Sequence, residues 1–269
     1  MSASIELKSK NRSALRQKLG VLYFTLKRYV FWRCGGLKFA KKGQEELHHE
    51  HFTHQTPIYR QWHDVDPQLE RNKKTNFGIV LPKINGITLR PGETFSFWKM
   101  VGKPSRRRGY IEGVVQIRGK LRGGIGGGLC HLTGFIYWMT LHTALTVTER
   151  HSHSHDTMPA GWPQPFGSDA TCFYSFKDLM ITNNTGQIFQ LRLEADNSHL
   201  RGAWLADAPP SHKYEAYQKE LEVRREDCGR YTRRGVLHRR VYSLDGALKT
   251  DEFISENQAI MLYPPTEEI

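Results

Sequence analysis

The chain has 269 residues, 38% hydrophobic and 25% charged, a globular composition with length enough for one large domain or two small ones, which excludes a disordered or fibrous chain. Its formal net charge of +12 is concentrated at one end. Residues 1–42 carry eleven Lys and Arg against the single acid Glu6, which leaves about +2 for the remainder and excludes a globally basic nucleic-acid-binding body. Four scattered cysteines (34, 130, 172 and 228) without a CxxC pair exclude a disulfide scaffold and a cysteine-built zinc site, and fit a reducing compartment.

Residues 1–43 read as a basic N-terminal helical arm. Leu15, Leu19, Leu22, Leu26, Tyr29 and Val30 recur at helical spacing among Lys and Arg, with Phe24, Phe31 and Trp32 adding aromatic bulk. The apolar run is too short to span a bilayer, and no small-residue cleavage site marks a signal peptide, so the expected location is cytoplasmic or peripheral to a membrane. Residues 13–33 suit an anionic membrane surface, the alternative being a helix packed on the protein with a solvated basic face. Residues 44–75 form a His-rich connector (His48, His49, His51, His54, His63) that fits no metal motif, with Pro57, Tyr59 and Trp62 expected to pack on the body.

A core domain is expected over 76–208. Phe77–Leu81 and Ile84–Leu89 read as short strands around the turn dipeptide Asn85-Gly86, and Thr94–Trp98 as extended chain after Pro91-Gly92. Ile111–Ile117 alternates like a strand. It leads to the most unusual stretch, Gly123-Gly124-Ile125-Gly126-Gly127-Gly128-Leu129-Cys130, which opens a helix running to about Thr143 with Leu129, Leu132, Thr133, Ile136, Met139, Thr140 and Thr143 on one face. A cysteine at a helix start sits near unpaired N–H groups and the positive end of the macrodipole, conditions that bring a thiol pKa from about 8.5 into the range of roughly 3.5 to 7.5. The same residues also describe a flexible glycine loop feeding a core helix, with Cys130 as a small buried hydrophobe. The two readings stand level at this point.

Leu145–Arg150 reads as a strand running into His151, His153 and His155. Alternate residues of an extended segment share a face, but no acidic or fourth ligand is placed by motif, so neither a metal nor any other cofactor is expected. Trp162-Pro163-Gln164-Pro165 is a rigid loop, Gly167–Tyr174 a turn entering a strand, and Leu179–Ile181 and Ile188–Leu193 are strands about the turn Asn183–Gly186. Pro209-Pro210 marks a boundary, and 209–269 read as a small β-rich extension in which Tyr214–Glu222 fits either strand or helix. The expected fold is α+β: a mainly antiparallel sheet core, a central helix after the glycine-rich loop, and the basic N-terminal helix.

Several ordered blocks carry a resemblance: Pro91-Gly92-Glu93-Thr94-Phe95-Ser96-Phe97-Trp98, Arg108-Gly109-Tyr110, Gly126-Gly127-Gly128-Leu129-Cys130-His131-Leu132-Thr133, Glu149-Arg150-His151-Ser152-His153-Ser154 and Asp169-Ala170-Thr171. Together they resemble the VanW family. That resemblance implies a cell-envelope protein associated with glycopeptide resistance. It also implies a cysteine-dependent acyl transferase of L,D-transpeptidase type, or a hydrolase, acting on a peptidoglycan precursor or stem peptide. Carried over, Cys130 is the nucleophile, His153 the base and Asp169 its orienting partner, with Gly126, Gly127, Gly128 and Leu129 as the oxyanion loop and Arg150, Tyr110, Trp98 and His131 at the substrate. Two departures stand out: His131 follows the cysteine where the family commonly has glutamine, and the segment before Asp169 is longer and rich in Pro and Trp. For Arg150 a structural ion pair with Glu93, Glu149 or Asp169 remains equally open. A non-catalytic binding or accessory protein of the resistance system is the alternative, and a metal hydrolase built on His151, His153 and His155 a third.

Overall fold

A computed structural model describes residues 13–60, 65–117, 119–157, 164–227 and 229–262; His63, Trp62, Trp162, Pro163 and Cys228, singled out above, lie outside them. The chain divides into two compact units, Met1–Gly36 and Leu37–Ile269. The first contains helix α1 (Ala14–Cys34), started by Ser13, whose side chain accepts from the Arg16 N–H at 3.3 Å. The expected apolar stripe is exposed along its whole length, Leu15, Leu19, Leu22, Leu26, Tyr29 and Val30 included.

In the second unit, β1 (Lys38–Phe39), β2 (Lys41–Lys42) and β3 (His49–Pro57) come first. The histidine-rich stretch is therefore not irregular: β3 is an edge strand with Phe52, His54 and Thr56 turned inward, while His49, Glu50 and Gln55 are exposed. Helices α2 (Pro67–Arg71) and α3 (Lys73–Ile84) follow, then β4 (Ile87–Leu89) and β5 (Glu93–Ser96). The strand expected over Phe77–Leu81 is thus a helix. Phe77, Val80, Leu81 and Ile84 fit a period of 3.6 as well as a short apolar run fits a strand, and burial of that face decides for the helix. The extended chain expected to Trp98 ends at Ser96, where α4 (Phe97–Val101) begins.

Strands β6 (Glu112–Ile117) and β7 (Lys120–Ile125) form a hairpin, so Gly123 and Gly124 belong to a strand and the glycine turn proper is Gly126–Gly128. Helix α5 (Leu129–Leu141) is buried on nearly every side, as expected of a helix apolar all round. It packs against α3, β3, β12 (His199–Ala206) and β8 (Thr146–Glu149). Gly202 of β12 admits it: a Cβ there would lie 2.7 Å from Phe135. Trp204 fixes the contact by donating to Thr140 Oγ1 at 3.1 Å.

After β9 (His155–Asp156), the chain from Ala170 to Phe173 runs without regular strand structure, contrary to expectation, and its place is set by long-range hydrogen bonds instead. Strand β10 (Met180–Thr182) joins a sheet of order β1-β5-β10-β8, and β11 (Phe189–Ala195) a sheet of order β2-β4-β11-β12-β3. The last segment is a meander of three long strands, β13 (His212–Arg225), β14 (Tyr231–Ser243) and β15 (Leu248–Met261), with β9 alongside β15. Tyr214–Glu222 is strand. All pairs but β1–β5 and β15–β9 are antiparallel, so the fold is α+β with a mainly antiparallel sheet core around α5.

Candidate functional site

The start of α5 is held by glycines for steric reasons. A Cβ on Gly127 would fall 2.0 Å from the Gly113 carbonyl carbon, and one on Gly128 2.5 Å from Lys73 Cγ, while Gly126 and Gly128 adopt φ of 74° and 92°. Buried Asn76 clamps this turn. It accepts from Ile111 N–H at 3.1 Å and donates to the carbonyls of Ile111 (3.1 Å) and Gly127 (2.9 Å). Asn76→Ala strands those groups away from water and is expected to lower unfolding free energy by about 3 kcal/mol, read from the urea midpoint.

The N–H groups of Gly126, Gly127 and Gly128 donate to the carbonyls of Ile111, Gly124 and Val114. The glycine part of the expected oxyanion loop is therefore spent on holding the turn. At the helix start the N–H groups of Leu129 and Cys130 take no partner among the described residues, the usual state of a first helical turn.

Cys130, half-buried, meets the segment 169–172 that crosses the helix start. That segment is fixed by Thr133 Oγ1 donating to the Ala170 carbonyl (2.6 Å) and Thr171 N–H donating to the His151 carbonyl (2.8 Å). The Cys130 sulfur accepts the Cys172 N–H at 3.4 Å and lies 3.6 Å from Thr171 Oγ1 and 3.7 Å from the Cys172 sulfur. His153 Nδ1 is 2.5 Å from Asp169 Oδ2, which also accepts the His153 N–H at 3.2 Å.

Charge follows from this arrangement. Hydrogen bonding from the Cys172 thiol, against burial and together with the bond and charge of His153, holds the Cys130 pKa well below the ordinary thiol value. Burial opposes a charged His153, but the hydrogen bond and charge of Asp169 and of Cys130 outweigh it and raise the imidazole to about 10. Asp169, despite burial, is held far below the carboxylate range by His153 and Arg150. These shifts favour the thiolate at Cys130, the imidazolium at His153 and the carboxylate at Asp169 over their neutral forms.

Arg150 is absorbed by structure. It donates through Nε to the Asp169 carbonyl (2.7 Å), through its terminal nitrogens to Asp169 Oδ1 (3.2 Å), the Gly167 carbonyl (2.6 Å) and the Asn257 side chain, and stacks over Tyr137. It positions Asp169. Trp98 and Tyr110, expected at the substrate, are core residues. Trp98 donates from its indole to the Lys177 carbonyl, and the Tyr110 ring is almost fully buried, so neither offers its surface to a ligand. His131 also turns inward, its Nδ1 accepting from Lys73 Nζ at 3.4 Å.

Beside the start of α5 lies a buried charged group that local spacing does not announce. Lys73 pairs with Glu70 and donates to the Ile58 carbonyl, and Glu70 accepts the Arg60 N–H at 2.8 Å. Burial lowers Lys73 to about 8 and Arg60 to about 10, and keeps His131 neutral well below neutral pH. The Arg60 charge is felt at both Cys130 and Asp169. The one sequence signal is Gly128, whose missing side chain makes room for Lys73. The alternating histidines part company: His151 bonds Glu149, His153 bonds Asp169 and His155 bonds Ser154. Among the described residues no three His, Cys, Asp or Glu side chains gather as a metal site.

Residues 72–205, which include Cys130, His153 and Asp169, match the family model described as VanW like protein. Over 243 residues the chain is 28% identical to the vancomycin B-type resistance protein VanW of Enterococcus faecalis, covering 90% of this chain and 88% of that protein. It is 27% identical over 122 residues to the uncharacterized protein YoaR of Bacillus subtilis, covering 45% of this chain and 39% of that protein. No solved structure matches.

Proposed function

The chain belongs to the VanW family, and on that premise we propose that it is a cysteine-dependent acyl transferase or hydrolase of cell-wall stem peptides, of L,D-transpeptidase type, serving glycopeptide resistance. The observation that carries this reading is the ordered contact of Cys130, His153 and Asp169 at the start of α5, with the Cys130 pKa held well below the ordinary thiol value and the residue only partly buried. The Cys130 thiolate attacks the carbonyl carbon of a peptide bond, and a carbon–sulfur bond forms. The free N–H groups of Leu129 and Cys130 are the donors available to the oxyanion. The His153 imidazolium gives its proton to the departing amine, and an amine or water then resolves the thioester with His153 as base.

The test is iodoacetamide alkylation of Cys130 against pH, run beside turnover of a tetrapeptide stem followed by mass spectrometry. The midpoint of the rate is expected to lie well below that of an unperturbed thiol of pKa about 8.5, whose rate slows tenfold per unit as pH falls beneath it. That unperturbed decline without peptide turnover would leave the accessory-protein reading.

The membrane surface enters the same proposal through α1. Ten large apolar residues are exposed between Leu15 and Phe31, and the helix bears Arg16, Lys18, Lys27, Arg28 and Arg33 with no acid. No helix among the described residues is long and apolar enough to cross a membrane. An anionic surface satisfies both the apolar and the cationic side chains. Lys27→Gln/Arg28→Gln is expected to weaken co-sedimentation with vesicles containing phosphatidylglycerol about 30-fold, from about 1 kcal/mol per basic residue. Unchanged binding, or equal binding to neutral vesicles, counts against it.

A further inference from the structure

Cys172 forms no bond to the acyl group in the proposed chemistry, but its sulfur lies 3.7 Å from that of Cys130 and its own N–H donates to the Cys130 sulfur. The segment bearing it is pinned to α5 through Thr133 and Ala170, so the two sulfurs face each other across a fixed contact. A disulfide has a bond of about 2.05 Å, so the two sulfurs, now 3.7 Å apart, need a further approach of under 2 Å to bond.

We propose that Cys130 and Cys172 form a two-electron redox site that takes hydroperoxides and closes to an intramolecular disulfide, switching the acyl chemistry off reversibly. The Cys130 thiolate attacks the peroxide, the O–O bond breaks, and the departing alkoxide or hydroxide leaves as alcohol or water after protonation by the His153 imidazolium. Cys130 is then a sulfenic acid, its sulfur having lost two electrons to the peroxide. The Cys172 sulfur attacks that sulfur, the S–O bond breaks, and hydroxide leaves as water with the Cys172 proton. The sum is two thiols and one hydroperoxide giving one disulfide, one alcohol and one water. A low-molecular-weight dithiol reverses it by thiol–disulfide exchange.

The two partners differ in the way such a pair requires. Cys130 is partly exposed and ionised, while burial and the adjoining Cys130 hold Cys172 as a thiol with its pKa well above the ordinary value. The first is the attacking sulfur and the second the resolving one. Exposed Cys34, in the other unit, is the internal control.

The dithiol chemistry stands on this geometry and only its consequence rests on the acyl-transfer reading, so the test reads sulfur directly. The full chain is treated with equimolar hydrogen peroxide, blocked with N-ethylmaleimide and digested without reductant. The expected product is a Cys130–Cys172 linked peptide that dithiothreitol cleaves, with Cys34 still alkylated. In Cys172→Ala the Cys130 sulfenic acid has no partner and is expected to be trapped by dimedone, with sulfinic acid appearing at higher peroxide; its melting temperature shows whether the fold is retained. Conversion of wild-type Cys130 to sulfinic acid without linkage, or its oxidation no faster than that of Cys34, overturns the proposal. A linked peptide in a chain that turns over no stem peptide leaves the redox site standing and removes only the acyl reading.

Discussion

Cys130→Ala is expected to abolish turnover of stem peptides, with kcat at least about 10⁴-fold below wild type, because on the proposed mechanism its sulfur forms the covalent bond to the acyl carbon and removal of a nucleophile costs this much or more in triad enzymes. The fold is expected to survive. Cys130 is half-exposed, alanine favours helix, and the turn before it is held by Asn76 and by glycine contacts that the substitution leaves in place. What changes besides activity is the charge of His153. With the thiolate gone, one of the two groups raising the imidazole is lost and its pKa falls from about 10 toward the ordinary value. A histidine NMR titration reads that shift without substrate. Full activity in Cys130→Ala, with His153 still titrating near 10, would sink the nucleophile assignment.

How far the sequence reaches depends on whether the relevant spacing is local. Helix α5 was legible because its apolar positions repeat every three to four residues directly after a glycine turn, and β6 because it alternates. Helix α3 was misread because Phe77–Leu81 is apolar and β-branched over a length at which strand and helix patterns coincide. Strand β3 was missed because an edge strand can carry polar residues on its open face, and His49, Glu50 and Gln55 look like connector. For the site, family resemblance brought Cys130, His153 and Asp169 together in order, and the fold gives them contact. Cys172, Lys73, Glu70 and Arg60 come to the start of α5 only through tertiary packing, from positions 42 to 70 residues away from Cys130 in the chain, where no periodicity connects them. Trp98 and Tyr110 show the opposite error: their motif position suggested ligand contact, and burial shows that they hold the core.

Asp169→Asn tests the part of the site that touches no substrate. The carboxylate fixes the His153 ring through Nδ1, is itself fixed by Arg150, and supplies the charge that keeps the imidazole protonated. An amide keeps the shape but loses the charge. A comparable change in a serine triad costs about 10⁴-fold, and a fall of about 10³- to 10⁴-fold in kcat is expected here with KM nearly unchanged. A merely structural role would not move the next readout: without the carboxylate the imidazolium yields its proton more easily, and the pH midpoint of Cys130 alkylation rises. The same coupling fixes the sign of the stability profile. Between the depressed folded thiol pKa (or about pH 6.5, whichever is higher) and about pH 8.5 the folded pair holds one proton as thiolate and imidazolium, and the unfolded pair also holds one, as thiol and neutral imidazole, so stability is flat there. Below 6.5 the unfolded pair binds two protons, and stability falls as pH drops through the depressed thiol range. Above about 8.5 the unfolded pair binds none, and stability is lost as pH rises through about 10, where folded His153 deprotonates. In Asp169→Asn that alkaline loss is expected to be smaller and to end at lower pH, because it still begins where the unfolded thiol deprotonates while the folded imidazole pKa, at which it stops, has dropped toward its ordinary value. Urea titrations from pH 6 to 10 measure it, and an alkaline limb identical to wild type would mean that Asp169 does not hold the charge of His153.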